Sequence, residues 1–128
     1  MTEEARIQRD GVNLLKTLGW TVYTLSQGYR KAKGGTRMTP GLPDVWAFHG
    51  PKRLSLWWEV KPEAEKSRLE KLRTRPGPIP RSLVNDWKRA HAQWQFGQSC
   101  RAVGHPYAYG TVADLLTELR RLGFSVGA

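Results

Sequence analysis

The stretch that decides the fold is "GLPDVWAFHGPKRLSLWWEVK", which occupies Gly41–Lys61. It contains two runs rich in aromatic and branched residues, separated by "HGPKR", which carries a Gly-Pro turn signal. The runs predict two strands, 43–48 and 54–61, joined as an antiparallel hairpin. Each strand also carries a carboxylate, since Asp44 lies near the start of the first and Glu59 interrupts the second. The placement of these acids bears on function as well as on fold.

The position of the turn predicts the pairing of the two strands. A hairpin folded at its centre places Trp46 opposite Trp57 and Asp44 opposite Glu59. Opposed side chains on one face have Cβ atoms about 4.5–5.5 Å apart. Two carboxylates that close repel, so one loses its charge or a cation lies between them. Lys61 follows Glu59 by two residues and therefore shares its face.

A slip of one residue in the register would move Asp44 to the other face of the sheet. In that case Asp44 is an ordinary turn residue after Pro43, and the later acid and lysine are an exposed ion pair on an edge strand. In the predicted register, two acids and a lysine converge at one end of the hairpin. Hard oxygen ligands of this kind suit Mg²⁺ or Mn²⁺, which also bind phosphate oxygens.

Length and charge limit the class of protein. The chain has 128 residues, enough for one domain, and a net charge of +10, which favours a nucleic-acid partner over a merely soluble basic surface. Cys100 is the single cysteine, which excludes an internal disulfide and a thiolate zinc site. We find no apolar run of membrane-spanning length and no signal peptide, so we expect a cytoplasmic protein with no membrane partner.

Periodicity and capping residues predict the other elements. The predicted helices cover residues 3–18, about 63–72, 83–103 and 112–122, and the further strands cover 20–26 and 107–109. We interpret the polar, basic, proline-containing segment at about 62–81 as an insertion. Without it the order is αβββαβα, which predicts an α/β fold with one mixed sheet and helices on its faces.

The residues also resemble a known signature. Pro43-Asp44, a spacer of fourteen residues and then Glu59-Val60-Lys61 is similar to the PD-(D/E)XK nuclease motif. "GLPDVWAF", "LSLWWEVK" and an opening helix with "EEARIQ" resemble the VRR-Nuc family of virus-type replication-repair nucleases. Gln93, with Gly104 eleven residues on, fits the same family, as does "GHPYAYGTVADLL". The resemblance covers about residues 3–120.

The resemblance implies a restriction-endonuclease-like domain spanning 1–128 that hydrolyses DNA phosphodiester bonds with Mg²⁺ or Mn²⁺. It implies a structure-selective enzyme, acting on branched or flapped DNA in phage-type replication and repair, in the cytoplasm of a bacterial or phage-infected cell. The implied catalytic set is Asp44, Glu59, Lys61 and Gln93. The implied metal ligands are Asp44, Glu59, the backbone carbonyl of Val60 and, from the first helix, Glu4 in preference to Glu3.

Within this set, Lys61 would orient or activate the attacking water, and Gln93 would hold that water or a phosphate oxygen. Two basic segments are candidate DNA contacts. The first is the glycine-rich loop 28–41 and the second is the 62–81 segment. The predicted contact residues are Arg30, Lys31, Lys33, Arg37, Arg73 and Arg75.

Two other functions remain open at this stage. The chain could be a non-catalytic nucleic-acid-binding module on the same fold, or a small basic assembly protein whose hairpin acids serve folding or partner contacts. A homodimer would allow two such sites to cut opposed strands, but the sequence does not decide the oligomeric state.

Overall fold

The structure is a computed structural model that describes residues 1–25 and 41–126. Its described part is a four-stranded sheet of order β1-β2-β3-β4 with helices on both faces. The first three strands are antiparallel, and β4 is parallel to β3. The elements in chain order are α1 (Glu3–Thr17), β1 (Thr21–Thr24), β2 (Val45–His49), β3 (Leu54–Val60), α2 (Glu63–Thr74), a 3₁₀ turn (Arg81–Leu83), α3 (Val84–Ala102), β4 (Tyr107–Gly110) and α4 (Val112–Arg121).

The predicted mixed α/β class is confirmed. The described residues contain one α-helix more than the predicted order αβββαβα. The segment at about 62–81, predicted to be an insertion with a short helix over about 63–72, contains α2, which runs from Glu63 to Thr74. Leu69 and Leu72 of this helix pack with Ala90 and Trp87 of α3 in a second hydrophobic cluster. The polar composition of the segment did not indicate that these two leucines are buried. Pro62 precedes the helix, and Pro76, Pro78 and Pro80 lie beyond its end.

The main core lies between the sheet and the α1–α4 layer. Its fully buried members include Leu15, Val45, Leu56, Trp58, Val60, Leu115 and Leu119. Helix α1 crosses Trp58 at Gly11, where an added Cβ would lie 2.1 Å from the indole ring. The Trp58 indole N–H donates to the Gly110 carbonyl at 3.2 Å. This tryptophan is therefore held from both sides, and only glycine fits at the crossing.

The local signals at the start of the chain predicted the first helix closely. Thr2 Oγ1 accepts a hydrogen bond from the Ala5 N–H at 3.1 Å, as expected of a helix N-cap. Gly19 follows the helix with a φ of 93°, a conformation that favours glycine. The predicted strand 20–26 is shorter in the structure, because β1 covers only Thr21–Thr24. Its predicted last residue lies outside the described ranges.

The register predicted for the hairpin is confirmed. Trp46 lies opposite Trp57, and Val45 lies opposite Trp58. The turn closes with a hydrogen bond of 3.1 Å from the Arg53 N–H to the Gly50 carbonyl. Arg53 has a φ of 54°, in the left-handed region that a side chain disfavours. The turn geometry therefore sets the register while straining one residue.

Strand β4 forms one edge of the sheet, and Glu118 of α4 binds part of that edge. Its Oε2 accepts a hydrogen bond from the Tyr107 N–H at 3.2 Å and contacts Arg121 at 2.7 Å. Burial acts to raise the pKa of Glu118, but Arg121 and the backbone N–H of Tyr107 together hold it below its ordinary value of 4.5. The ionised carboxylate thus stabilises the junction of β4 and α4.

Candidate metal and catalytic site

The hairpin places Asp44 and Glu59 on one face of the sheet. Val45 pairs with Trp58, so continuing the register by one residue sets Asp44 across from Glu59. Asp44 Oδ2 accepts a hydrogen bond from the Val60 N–H at 3.0 Å. This bond fixes the Asp44 carboxylate at the end of β3. The juxtaposition expected from the turn position is therefore present.

Glu59 is the centre of a buried polar cluster, with only 2% of its surface exposed. Its Oε2 lies 3.5 Å from Lys61 Nζ and accepts a contact of 3.4 Å from Gln93 Nε2. Lys61 and Gln93 are each 7% exposed. Both contacts are at the long end of the range for a hydrogen bond. The structure thus brings the four predicted catalytic residues together beneath α3, with Glu59 in the middle.

The charge of Glu59 is poorly compensated. Burial raises its pKa well above the ordinary value of 4.5, and the neighbouring Asp44 raises it further, while Lys61 opposes both. Glu59 Oε1 and Gln93 Oε1 are buried and have no hydrogen-bond partner among residues 1–25 and 41–126. Leaving such oxygens unsatisfied is costly. A divalent cation beside Asp44 and Glu59 would compensate both carboxylates.

Asp44 and Glu59 offer carboxylate oxygens, which are the type of ligand that Mg²⁺ and Mn²⁺ prefer. Magnesium is usually held by one or two carboxylates and keeps several waters. Across the two described ranges, no three His, Cys, Asp or Glu side chains are grouped to hold a metal. The third protein ligand that the motif resemblance implies is the Val60 carbonyl. The Val60 side chain is fully buried in the main core, and its N–H is bonded to Asp44.

Glu4, the further predicted ligand, lies on α1 within electrostatic reach of the site without forming a three-carboxylate group. Burial raises its pKa above the ordinary 4.5, Lys61 lowers it and Asp44 raises it. Arg89 also lowers the pKa of Glu4. The sequence patterns did not place this arginine near the site, although it lies one helical turn before Gln93 on α3 and that spacing could have indicated it.

Tyr109 also lies beside Glu59, and the sequence patterns gave no prediction for it. It is the register partner of Glu59 across the β3–β4 pair. Burial, followed by the charge of Glu59, raises the pKa of Tyr109 to about 12. The phenol therefore stays protonated at neutral pH and is a hydrogen-bond donor. The parallel pairing of β4, which places it there, involves a crossover that local sequence patterns do not reveal.

Of the predicted DNA-contacting residues, only Arg73 and Arg75 lie within the described ranges, and they differ in exposure. Arg30, Lys31, Lys33 and Arg37 lie outside the described residues. Arg73 is 17% exposed at its side chain, pairs with Glu70 at 2.9 Å and stacks 4.5 Å from the ring centre of Trp94. It is therefore packed between α2 and α3, whereas Arg75 is exposed at the end of α2.

No family model, curated protein or solved structure matches the chain. The resemblance to VRR-Nuc nucleases therefore depends on the motif residues alone. Among the helices described, none has the length and apolar character needed to cross a membrane.

Proposed function

We propose that the chain is a metal-dependent endonuclease of the PD-(D/E)XK, VRR-Nuc-like type, which hydrolyses DNA phosphodiester bonds with Mg²⁺ or Mn²⁺. The observation that carries the proposal is the buried Glu59 carboxylate, in contact with Lys61 and Gln93 and flanked by Asp44. A buried acid with a neighbouring acid and an orphaned oxygen is an expensive feature for stability alone. It is typical of a cation site.

The residues of the site have separate roles in this proposal. Asp44 and Glu59 would hold the ion, with the Val60 carbonyl as a third oxygen. When bound, the ion would supply positive charge for a phosphate oxygen and would lower the pKa of the attacking water. Lys61 orients that water and stabilises negative charge developing on the phosphate. Gln93 holds the water or a phosphate oxygen, and Glu4 approaches the site from α1.

The charge of the chain supports a polyanionic substrate. A net charge of +10 favours phosphate contacts through release of condensed counterions. We further propose that the fold is restriction-endonuclease-like, with the extra helix α2 packed on α3. Branched or flapped DNA in a phage-type repair setting, in the cytoplasm, is the substrate and location that the motif resemblance favours.

A plasmid-nicking assay tests the proposal. We expect nicking in Mn²⁺ or Mg²⁺, none in EDTA, and a loss of at least about 100-fold in Lys61→Ala, the low end for removing a group that assists proton transfer. Lys16→Ala is the matched control, because Lys16 is an exposed lysine at the far end of α1. Undiminished nicking by folded Lys61→Ala protein would refute the proposed site.

A non-catalytic nucleic-acid-binding module is the alternative function. The observation that favours it is the existing ion pair between Lys61 and Glu59, combined with only two clustered carboxylates in the described part of the chain. Such a module would bind DNA with strong salt dependence and show no turnover in any metal. Its affinity would also be unchanged in Asp44→Ala, apart from any effect of lost metal.

A further inference from the structure

A cavity of about 240 Å³ lies between α2 and α3, next to the candidate metal site. Its chemically distinctive lining consists of aromatic rings, guanidinium groups and one amide. These residues are Arg73, Gln93, Trp94, Arg101, Tyr107 and Tyr109. The proposed nuclease chemistry uses only Gln93 of this set, so the cavity needs a separate explanation.

Two residues connect the cavity to the metal site. Gln93 Nε2 contacts the Glu59 carboxylate at 3.4 Å, while Gln93 Oε1 is buried without a partner among the described residues. Tyr109 lines the cavity and is also the register partner of Glu59. A molecule in the cavity would therefore lie beside the proposed scissile phosphate and within reach of an unsatisfied hydrogen-bond acceptor.

The lining suits a planar ring that is joined to a negatively charged group. The Arg73 guanidinium lies 4.5 Å from the centre of the Trp94 ring, and that of Arg101 lies 5.6 Å from Tyr107. Trp94 is 38% exposed, unusually open for a large aromatic side chain. The lining contains two arginines and one carboxylate, Glu70, which pairs with Arg73, so it has an excess of positive charge.

A glycine on α3 preserves the space for the aromatic wall. A Cβ added at Gly97 would lie 2.8 Å from the Tyr107 ring, so any larger residue would displace that tyrosine. The volume is below the roughly 300–1,000 Å³ typical of pockets for drug-sized ligands. It therefore suits a ligand about as large as one nucleotide.

We propose that this cavity is a subsite for one unpaired nucleotide of the DNA strand, with the base against the stacked Arg73 and Trp94 side chains and a phosphate near Arg101. The inference rests on the proposed nuclease function and makes it more specific. A base held in a duplex cannot enter a pocket of this kind without leaving the stack. The substrate class is therefore DNA with an unpaired nucleotide next to the bond that is cut, as at a flap or fork.

Calorimetric titration of the full chain in EDTA tests the subsite without the metal. The probes are thymidine 5′-monophosphate, 2-deoxyribose 5-phosphate and inorganic phosphate. Stacking on an aromatic side chain is worth about 1–3 kcal/mol per base, so we expect the nucleotide to bind roughly 5- to 150-fold more tightly than the sugar phosphate. Equal binding of all three probes, or binding of none, would overturn the proposal.

Variants separate stacking from general structural effects. Trp94→Ala should remove the preference for the base, and Trp94→Phe should restore most of it. Phe48→Ala is the matched control, because Phe48 is an exposed aromatic residue on the sheet, away from the cavity lining. If Trp94→Ala does not fold, Arg101→Gln provides the test through weaker nucleotide binding. Retention of the full preference in the folded variants would refute the assignment.

The subsite and the metal site can fail independently. Nucleotide binding in EDTA reports only on the cavity, while stabilisation by Mn²⁺ and nicking of duplex plasmid report only on the proposed nuclease. If the subsite and the metal site are both functional, wild type should cut a one-nucleotide flap faster than a matched duplex. In Trp94→Ala the ratio of these two rates should fall by at least about 5-fold. Plasmid nicking without nucleotide binding would overturn the subsite and leave the nuclease proposal standing.

Discussion

Replacing Asp44 with asparagine should change stability in opposite directions with and without metal. Asparagine keeps an oxygen that can accept the Val60 N–H, so the hydrogen bond at the end of β3 survives. What is lost is one negative charge beside the buried Glu59. Without metal this charge raises the pKa of Glu59, after the larger effect of burial, and destabilises the fold.

The register and Coulomb's law give the magnitude. Opposed Cβ atoms lie about 5 Å apart, and two unit charges at about that distance repel by roughly 3 kcal/mol at an effective dielectric constant of about 20. Lys61, 3.5 Å from Glu59, offsets part of this repulsion, and the raised pKa of Glu59, which favours its neutral form, relieves a further part. We therefore expect metal-free Asp44→Asn to be more stable than wild type by about 1 kcal/mol.

Saturating metal should reverse the order. An ion at about 100 times its dissociation constant stabilises wild type by about 2.7 kcal/mol. If loss of one carboxylate ligand weakens binding about 100-fold, the same concentration stabilises the variant by only about 0.4 kcal/mol. The variant should then be the less stable protein by about 1 kcal/mol, once its metal-free advantage is included.

Urea denaturation at pH 7, in EDTA and across a Mn²⁺ titration, measures both effects. Asp10→Asn is the matched control, because Asp10 is an exposed acid on α1 paired only with its neighbour Arg9 among the contacts of the described residues. It should shift stability by less than about 0.5 kcal/mol in either condition. The reasoning fails if Asp44→Asn retains the whole Mn²⁺ effect, or if wild type shows none.

Three further substitutions test the parts of the fold that hold the site. Gly11→Ala should destabilise the chain by about 1–2 kcal/mol in urea denaturation, because the clash with Trp58 outweighs a gain of about 1 kcal/mol in helix propensity; a more stable variant would contradict the crossing geometry. Arg53→Gly should stabilise it by about 0.5–1 kcal/mol in the same assay by relieving the left-handed backbone, and a loss of stability would count against the turn. Glu118→Gln should cost about 1 kcal/mol at pH 7, since a charged acceptor of the Tyr107 N–H becomes neutral. Because its partners hold the pKa of Glu118 below 4.5 despite burial, that difference should disappear as pH falls from about 4.5 through the folded-state pKa; a difference independent of pH would contradict this assignment.

The hairpin and its acids could be predicted because their determinants are local. A Gly-Pro turn between two runs of strand-forming residues leaves few registers, and alternation then decides which side chains share a face. The same reasoning placed Glu59 and Lys61 together. Gln93 was reached differently, through motif spacing, and no periodicity would have distinguished it from the neighbouring glutamines on α3.

The role of α2 could not be predicted because it depends on tertiary packing. Only Leu69 and Leu72 are buried on this largely polar helix, and their partners on α3 lie beyond a proline-containing connection that gives no sign of how the two helices pack. Arg73 illustrates the same limit. It was predicted from charge to contact DNA, and the charge pattern did not indicate its contacts with Glu70 and Trp94.

The two faces of the sheet separate stability from chemistry. On one face, Leu56, Trp58 and Val60 pack against α1 and α4 with almost no exposure. On the other, Glu59 and Lys61 are buried almost as deeply, yet they are ionisable groups with long, incomplete contacts. Replacing buried ion pairs by apolar residues is often neutral or stabilising, so folding alone does not require them. Since the apolar face already supplies the main core, the polar face can carry a costly charged cluster, and under the proposed function a cation and a phosphate would complete it.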